Sequence, residues 1–517
     1  MRYKKIKVGD VFLDNFLSGE TKMQTKKILS FLFLLNFIFI LLCNLPNLQF
    51  RISVDGYNKL LYNNNQAFYL KDARVLSAAL QMLIKWWPAV KFQGVYFFVF
   101  ILFLCLCINI FMSIYLNFVE IGSIKKLLFV NWAFVFGFIN ILTQEYSLFP
   151  EDYFAYGTGL FLICMSIKSF FSDSNFKNRF GFMIIYLFLG LECYQIFIQA
   201  WLIFLAVFLL LKHKNCLSKE FFKDVLCIAV VFIFTLTILV CVIQVMIKLG
   251  LVDKARNIII LPKKNLFNIR SIFNCIKMFF RRPIKTIVGI MVYTLMSVFL
   301  CEIIFLGIKF SRKEIKSMEF FLPFILFIFA VLATFGIQVF MFFVWLPPRV
   351  LTGLGFLLCI LLIYWSNFLH EKHLNYFICF VGILFFINVY FSQSIAINQY
   401  ATNRIDQEQV SNICYRIKDY EEKNKIRIKK ISFCQDTEPL LGYYGNTKYI
   451  AWDLNIREFM VTWGQIEIIN YYSKRHFEKI DMPEEIYKKY FAKKQWDYYK
   501  PEEQLVFIGD TLHICVY

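Results

Sequence analysis

The sequence predicts an all-α polytopic membrane protein with a small α/β domain at its C-terminal end. Three observations lead to that class. Of 517 residues, 59% are hydrophobic and only 18% charged, and Phe alone occurs 63 times. A soluble core stops growing at roughly 250–300 residues, so lipid is the natural solvent for the excess. Several windows exceed the ~18 consecutive apolar residues that mark a membrane-spanning helix. From about residue 395 the chain instead becomes charged, with aromatic residues in alternation.

The N-terminal segment, 1–27, carries Arg2, Lys4, Lys5, Lys7, Lys22, Lys26 and Lys27. The positive-inside rule places it in the cytoplasm. The first apolar run starts only behind this basic segment, and no small-residue cleavage site follows, so it reads as a span and not as a cleaved signal. Spans are expected at about 28–46, 93–117, 127–143 and 153–171. The stretch 180–211 is too long for one upright helix, and two short helices meeting near Glu192–Gln195 fit it better. Further spans are expected at about 224–247, 286–308, 319–344, 350–367 and 375–392. About eleven transmembrane helices result. The basic segments KHKNCLSKEFFK (212–223) and SRKEIK (311–316) mark the inner side, and the region 395–517 falls outside. There, 406–423 and 483–494 read as helices, and 429–434 and 504–509 as strands.

The net charge of +20 follows from topology. Lys and Arg flank the spans, and no basic segment outside them is interleaved with base-stacking aromatics, which excludes nucleic acid as a partner. Most of the 15 Cys residues lie in apolar runs, for example Cys105, Cys107, Cys227 and Cys241, where Cys is a small hydrophobe. Cys414, Cys434 and Cys515 alone lie in the polar C-terminal region, an odd number that implies no full disulfide framework. No spacing suggests a metal site.

The candidate chemistry lies in the outer loops. The first, 47–91, holds Asp55 shortly after the first span. It continues as FYLKDARVLSAALQMLIKWWP (68–88), with Asp72 and Arg74 at its start. Leu76, Leu80, Leu83, Ile84 and Trp87 share one helical face, and Ser77, Gln81 and Lys85 share another. This is the pattern of an interfacial amphipathic helix, with Trp86 and Trp87 at headgroup level. The second loop, 144–152, adds Glu145, Glu151 and Asp152. Solvated loop residues are the default. Two acidic loops on one face can also converge over a cavity, where one carboxylate acts as a general base and others orient it or bind sugar hydroxyls.

The connector 248–285 carries nine basic residues and one acid between 249 and 285. External basic residues beside a membrane suit a phosphate-bearing lipid, since Arg makes forked contacts to phosphate oxygens. Arg281 and Arg282 are the preferred candidates, with Arg74 and Arg349 the other outer arginines; simple topology anchoring is the competing account. Glu192, with Tyr194 and Gln195, either lines a cavity or sits on an exposed turn. No GxSxG, GxxxxGK[ST] or HExxH motif is present, so the chemistry does not use those soluble nucleophile, phosphate-loop or zinc devices.

The order of these features resembles the membrane glycosyltransferases of the GT-C superfamily, and in particular the serotype-converting glucosyltransferase II-like group. SVDGY (53–57) and DARVL (72–76) stand where that group has an acidic first loop and a GRPL-like motif. EYSLFPED (145–152) is similar to its second-loop motif, with Glu145, Phe149 and Asp152 at matching positions. LECYQ (191–195) is similar to its LSLYQ-like stretch. Two departures stand out: Gly56 follows Asp55 where the group often has a second acid, and DARVL lacks the Gly and Pro.

The resemblance implies a sugar transferred from a polyprenyl-phosphate-linked donor to a cell-surface polysaccharide or glycolipid, on the outer face of a bacterial cytoplasmic membrane. It implies inversion in one displacement, with Asp55 as base, Glu145 and Asp152 beside it, and Asp72 and Glu151 in the cavity. External arginines, or a divalent ion such as Mg or Mn, offset the leaving phosphate. A polysaccharide polymerase or ligase using a lipid-linked donor is the nearest alternative. A flippase or transporter predicts ionisable residues in several spans, and apart from Glu192 and Glu302 the spans are nearly clean. A scaffold ranks last.

Overall fold

The computed structural model describes residues 21–53, 56–57, 69–84, 86–87, 91–119, 123–173, 175–213, 218–252, 262–281, 287–340, 344, 346–435, 457–494, 496 and 498–516. Among them, eight helices are long and apolar enough to cross a membrane, and Gly353–Ser366 is a shorter apolar one.

The bundle begins with α1 (Thr21–Cys43). A short amphipathic α2 (Val75–Leu83) leads to α3 (Gln93–Phe118), α4 (Ile124–Phe138) and α5 (Tyr153–Phe170). Side-chain amides of Asn36 on α1 and Asn131 on α4 exchange hydrogen bonds of 3.0 and 2.7 Å, a polar clasp between apolar helices. α6 (Phe176–Cys193) and α7 (Ile198–Lys212) are separated by the extended Tyr194 and a 3-10 turn, Gln195–Phe197. The break falls within the short stretch where the sequence predicts two helices to meet. α5 and α6 approach closely because Gly159 and Gly190 face each other's helix. A Cβ on Gly190 would lie 2.9 Å from Ile163 and 3.2 Å from the Gly159 carbonyl.

α8 (Lys219–Lys248) starts at Ser218, whose hydroxyl accepts from Phe221 N at 3.1 Å, an ordinary N-cap. The basic connector contains α9 (Pro262–Arg281). α10 (Ile287–Ser311), α11 (Ser317–Val339) and α12 (Gly353–Ser366) follow. α13 (Glu371–Asn424) then runs 54 residues without a break and ends at Lys425, which is left-handed. The expected span at 375–392 lies within this helix, and the expectation that 406–423 is a separate helix is corrected. They are one helix, and it passes through residue 395, where the composition changes.

Beyond α13 lies a four-stranded sheet, order β2-β1-β4-β3, built from β1 (Lys430–Gln435), β2 (Glu478–Ile480), β3 (Leu505–Ile508) and β4 (Thr511–Val516). β1 pairs in parallel with β2 and β4, and β3 with β4 is an antiparallel hairpin. The hairpin turns on Gly509, whose φ of +59° suits glycine. α14 (Gln465–Ser473) packs with α13 against this sheet around Val410, Ile413, Ile417, Ile431, Ile468 and Leu512. The predicted helix at 483–494 is present in shorter form: an α-helical turn, Glu484–Ile486, runs directly into a π-helical one, Tyr487–Phe491.

The turns around 44–53, 139–153, 193–198 and 346–353 all meet at one end of the bundle. Tyr146 donates to the Arg349 carbonyl at 2.9 Å, and Gln399 of α13 donates to the Leu148 carbonyl at 3.1 Å. α9 is at the same end, because Asn265 and Asn268 donate to the carbonyl of Val339, the last residue of α11, at 2.7 and 3.0 Å. The C-terminal domain also stands there: Tyr57 and Tyr472 share a hydroxyl contact of 3.1 Å.

Candidate functional site

The site is a buried cluster of carboxylates, arginines and tyrosines at this end of the bundle. Its core is the segment after α4. Asn140 accepts from Leu142 N and Thr143 N at 2.9 and 3.3 Å, and Thr143 accepts from Asn140 N at 3.0 Å. Those bonds turn the chain back into the protein. A one-turn helix, Gln144–Ser147, and a 3-10 turn, Pro150–Asp152, follow. Glu145, Glu151 and Asp152 are 0%, 1% and 3% exposed, so the solvated-loop account of this segment is corrected. Three carboxylates buried together require partners.

The partners come from distant segments. Glu145 pairs with the Arg349 guanidinium and also accepts from Arg349 N at 2.5 Å. Pro347 and Pro348 stiffen the approach to Arg349, and its guanidinium lies 4.6 Å from the Phe149 ring centre. Asp152 accepts from the Tyr69 hydroxyl, and Glu151 from the Ser53 hydroxyl. Gln81 Nε2 donates to the Glu151 carbonyl at 2.9 Å. Burial first, then the charges of Asp152 and Glu151, hold the Tyr69 hydroxyl well above its usual pKa, against a smaller lowering by Arg74. It therefore remains a donor at neutral pH.

A second set docks the start of α2 onto the α6–α7 break. Glu192 Oε2 accepts from Val75 N at 3.1 Å, Gln195 donates to the Ala73 carbonyl at 2.9 Å, and Ser77 donates to the Cys193 carbonyl at 2.9 Å. Ala73 has φ +56°, a left-handed conformation that costs a non-glycine residue about 1–3 kcal/mol and persists where its surroundings impose it. Arg74 pairs with Asp72 at 3.3 Å and lies 4.7 Å from the Tyr194 ring centre. Burial works to lower the Arg74 pKa, but Asp72, helped by Tyr156, Tyr194 and Asp152, raises it past its usual value. Tyr146, Tyr156 and Tyr194 fill the space between the two sets, with ring centres 5.0 to 6.1 Å apart.

Glu192 is thus buried and holds α2, which excludes the exposed-turn account. α2 is amphipathic as expected, but with its polar face inward. Ser77 and Gln81 are buried, while Leu83, Trp86 and Trp87 are exposed at 76%, 86% and 70%. The apolar side is turned outward and the polar side serves the cluster.

Asp55 lies outside the described residues. Its neighbours are placed: Ser53 binds Glu151, and Tyr57 packs on Tyr471 with ring centres 5.3 Å apart. Arg282 lies outside as well, and of Arg281, the last residue of α9, only the backbone is described. The structure brings together Asp72, Arg74, Glu145, Glu151, Asp152, Glu192, Tyr194, Gln195 and Arg349.

Arg51 is a residue that sequence reasoning missed. It is 1% exposed. Its Nη2 donates to Asn47 Oδ1 at 2.6 Å, to the Ser147 carbonyl and to Tyr153 at 3.2 Å. Its Nε and Nη1 have no hydrogen-bond partner among the described residues. The available signal was an arginine two residues before SVDGY.

Among the described residues no three His, Cys, Asp or Glu side chains converge as a metal-ion site. Glu145, Glu151 and Asp152 are instead engaged by Arg349, Ser53 and Tyr69. This donor set does not fit a divalent ion. Comparison with family models, with curated proteins and with solved structures finds no match for this chain.

Proposed function

We propose that the chain is a GT-C-type membrane glycosyltransferase. It would take a sugar from a polyprenyl-phosphate-linked donor and transfer it to a cell-surface polysaccharide or glycolipid. In this reading α4, α6 and α12 cross the bilayer along with the eight longer helices. The N-terminus is cytoplasmic, and the cluster and C-terminal domain face outward from a bacterial cytoplasmic membrane.

The observation that supports it best is the burial of Glu145, Glu151 and Asp152 with Arg74 and Arg349 at the end of an apolar helical bundle. Buried charge is costly unless it is paired or put to use. Asp55, between Ser53 and Tyr57 in the sequence, accepts the proton of the acceptor hydroxyl. The acceptor oxygen bonds to the anomeric carbon from the face opposite the phosphate, and the carbon–oxygen bond to the phosphate breaks. The polyprenyl phosphate leaves with that electron pair, which inverts the anomeric centre. Arg74 and Arg349, with Arg281 and Arg282 from the connector, offset its charge. Glu145 acts here by positioning Arg349, and Asp152 by holding Tyr69. No step uses a divalent ion.

Asp55→Asn is expected to abolish sugar transfer while protein abundance stays near normal; full activity in that variant sinks the assignment. A cysteine at Ser271 is expected to react with an impermeant thiol reagent in intact cells, and one at Ser218 to be protected; the reverse pattern overturns the sidedness. The polymerase or ligase alternative draws support from the basic α9 at the same end as the cluster. It predicts extended glycan chains as product, where the transferase adds single residues.

A further inference from the structure

α9 has four distinct flanks. Asn268 and Ile272 are buried against the bundle. Leu266, Ile269 and Phe273 recur on a flank that is exposed at 68%, 38% and 66%. Lys263, Arg270 and Lys277, spaced by seven residues, form an exposed ridge beside it. On the remaining side a cleft of about 610 Å³ is lined by Lys263, Lys264, Phe267, Ser271, Cys275 and Val344. None of the described residues covers the exposed apolar flank, and it lies at the end of a bundle whose helices are long and apolar enough to cross a membrane.

A helix with one apolar side and a basic side, at the end of such a bundle, lies in the interface plane. Its apolar flank enters the acyl boundary, which sets the basic ridge at the depth of lipid phosphates. Each Lys or Arg near an anionic surface adds attraction. We propose that α9 and its cleft bind an anionic phospholipid of the surrounding bilayer. The phosphate sits between the ridge and Lys264, and the start of an acyl chain lies along Phe267 and Val344. The site is separate from the carboxylate cluster and does not depend on the transferase reading. It makes the protein's retention of lipid depend on headgroup charge.

The test is native mass spectrometry of the full chain released from detergent, with phosphatidylglycerol, phosphatidylcholine and a polyprenyl phosphate as separate probes. Phosphatidylglycerol is expected to be retained and phosphatidylcholine lost. The K263Q/R270Q/K277Q variant is expected to bind phosphatidylglycerol about tenfold more weakly or worse, given the usual strength of contacts to charged groups. Lys418→Gln, at an exposed position on α13, should leave binding unchanged. Equal retention of both phospholipids, no effect of the triple variant, or an equal effect of Lys418→Gln overturns the proposal. Displacement of phosphatidylglycerol by an equal amount of polyprenyl phosphate also overturns it, by giving the cleft to the donor. No readout involves sugar transfer, so failure here is separate from failure of the transferase reading.

Discussion

Replacing Glu145 with Gln removes the counter-charge of Arg349 while keeping an oxygen for Arg349 N. The pair is almost fully buried, with side chains 0% and 9% exposed. Opposite charges about 4 Å apart at an effective dielectric near 20 attract by about 4 kcal/mol. One-sided loss of a buried pair costs about 3–5 kcal/mol, because the surviving charge stays in place without compensation. Arg349→Met strands the carboxylate instead and should cost about as much. The double variant E145Q/R349M is neutral, and we expect it to recover most of the loss, leaving a coupling energy of about 3 kcal/mol or more. The assay is reversible unfolding in mixed micelles followed by tryptophan fluorescence. Single-variant effects that add to within about 0.5 kcal/mol would refute the pairing.

Tyr69 sets a pH dependence. Its folded-state pKa is raised by burial and by Asp152 and Glu151, so the folded protein keeps a proton that the unfolded chain releases near pH 10. Its contribution is intact below about pH 10 and falls as pH rises further, by about 1.4 kcal/mol per unit. Tyr69→Phe should flatten the alkaline limb of an unfolding profile by about that slope; an unchanged limb counts against it. Gly353→Ala tests the α7–α11–α12 junction. The new Cβ would overlap the Thr334 hydroxyl and lie 2.9 Å from Gln199 Oε1, which itself accepts from Gly353 N at 2.9 Å. A loss of about 1–3 kcal/mol is expected in the same unfolding assay, and a neutral result means the junction is looser than described.

Apolar run length is a one-dimensional signal, and it located the helices well. The α6–α7 break was legible because Glu192 and Gln195 interrupt an overlong run. The continuity of α13 was not, because its composition changes at the bundle end while its helical backbone does not. The inward face of α2 was hidden for a related reason. A polar stripe on an interfacial helix reads as solvent-facing unless the acids that it serves are known to be beneath it. Acidic residues in the second loop were visible as candidates, but their burial depends on distant partners: Ser53 for Glu151, Tyr69 for Asp152, and Arg349, 204 residues away, for Glu145. Arg51 shows the same limit, since its partners Asn47, Ser147 and Tyr153 converge only in three dimensions.

At 1.5 Å per residue, the 54 residues of α13 make a rod about 80 Å long, against a hydrocarbon layer of about 30 Å. The surplus is a rigid mast carrying the sheet. Because each residue also advances the helix by about 100°, the compass bearing of the C-terminal domain over the bundle is written in helical phase. One residue inserted between Asn403 and Asp406 would swing Tyr472 away from Tyr57. Four would bring it nearly full circle and raise it by about 6 Å. The length of this helix is thus a dial, and its sequence can drift in composition far more freely than in residue count.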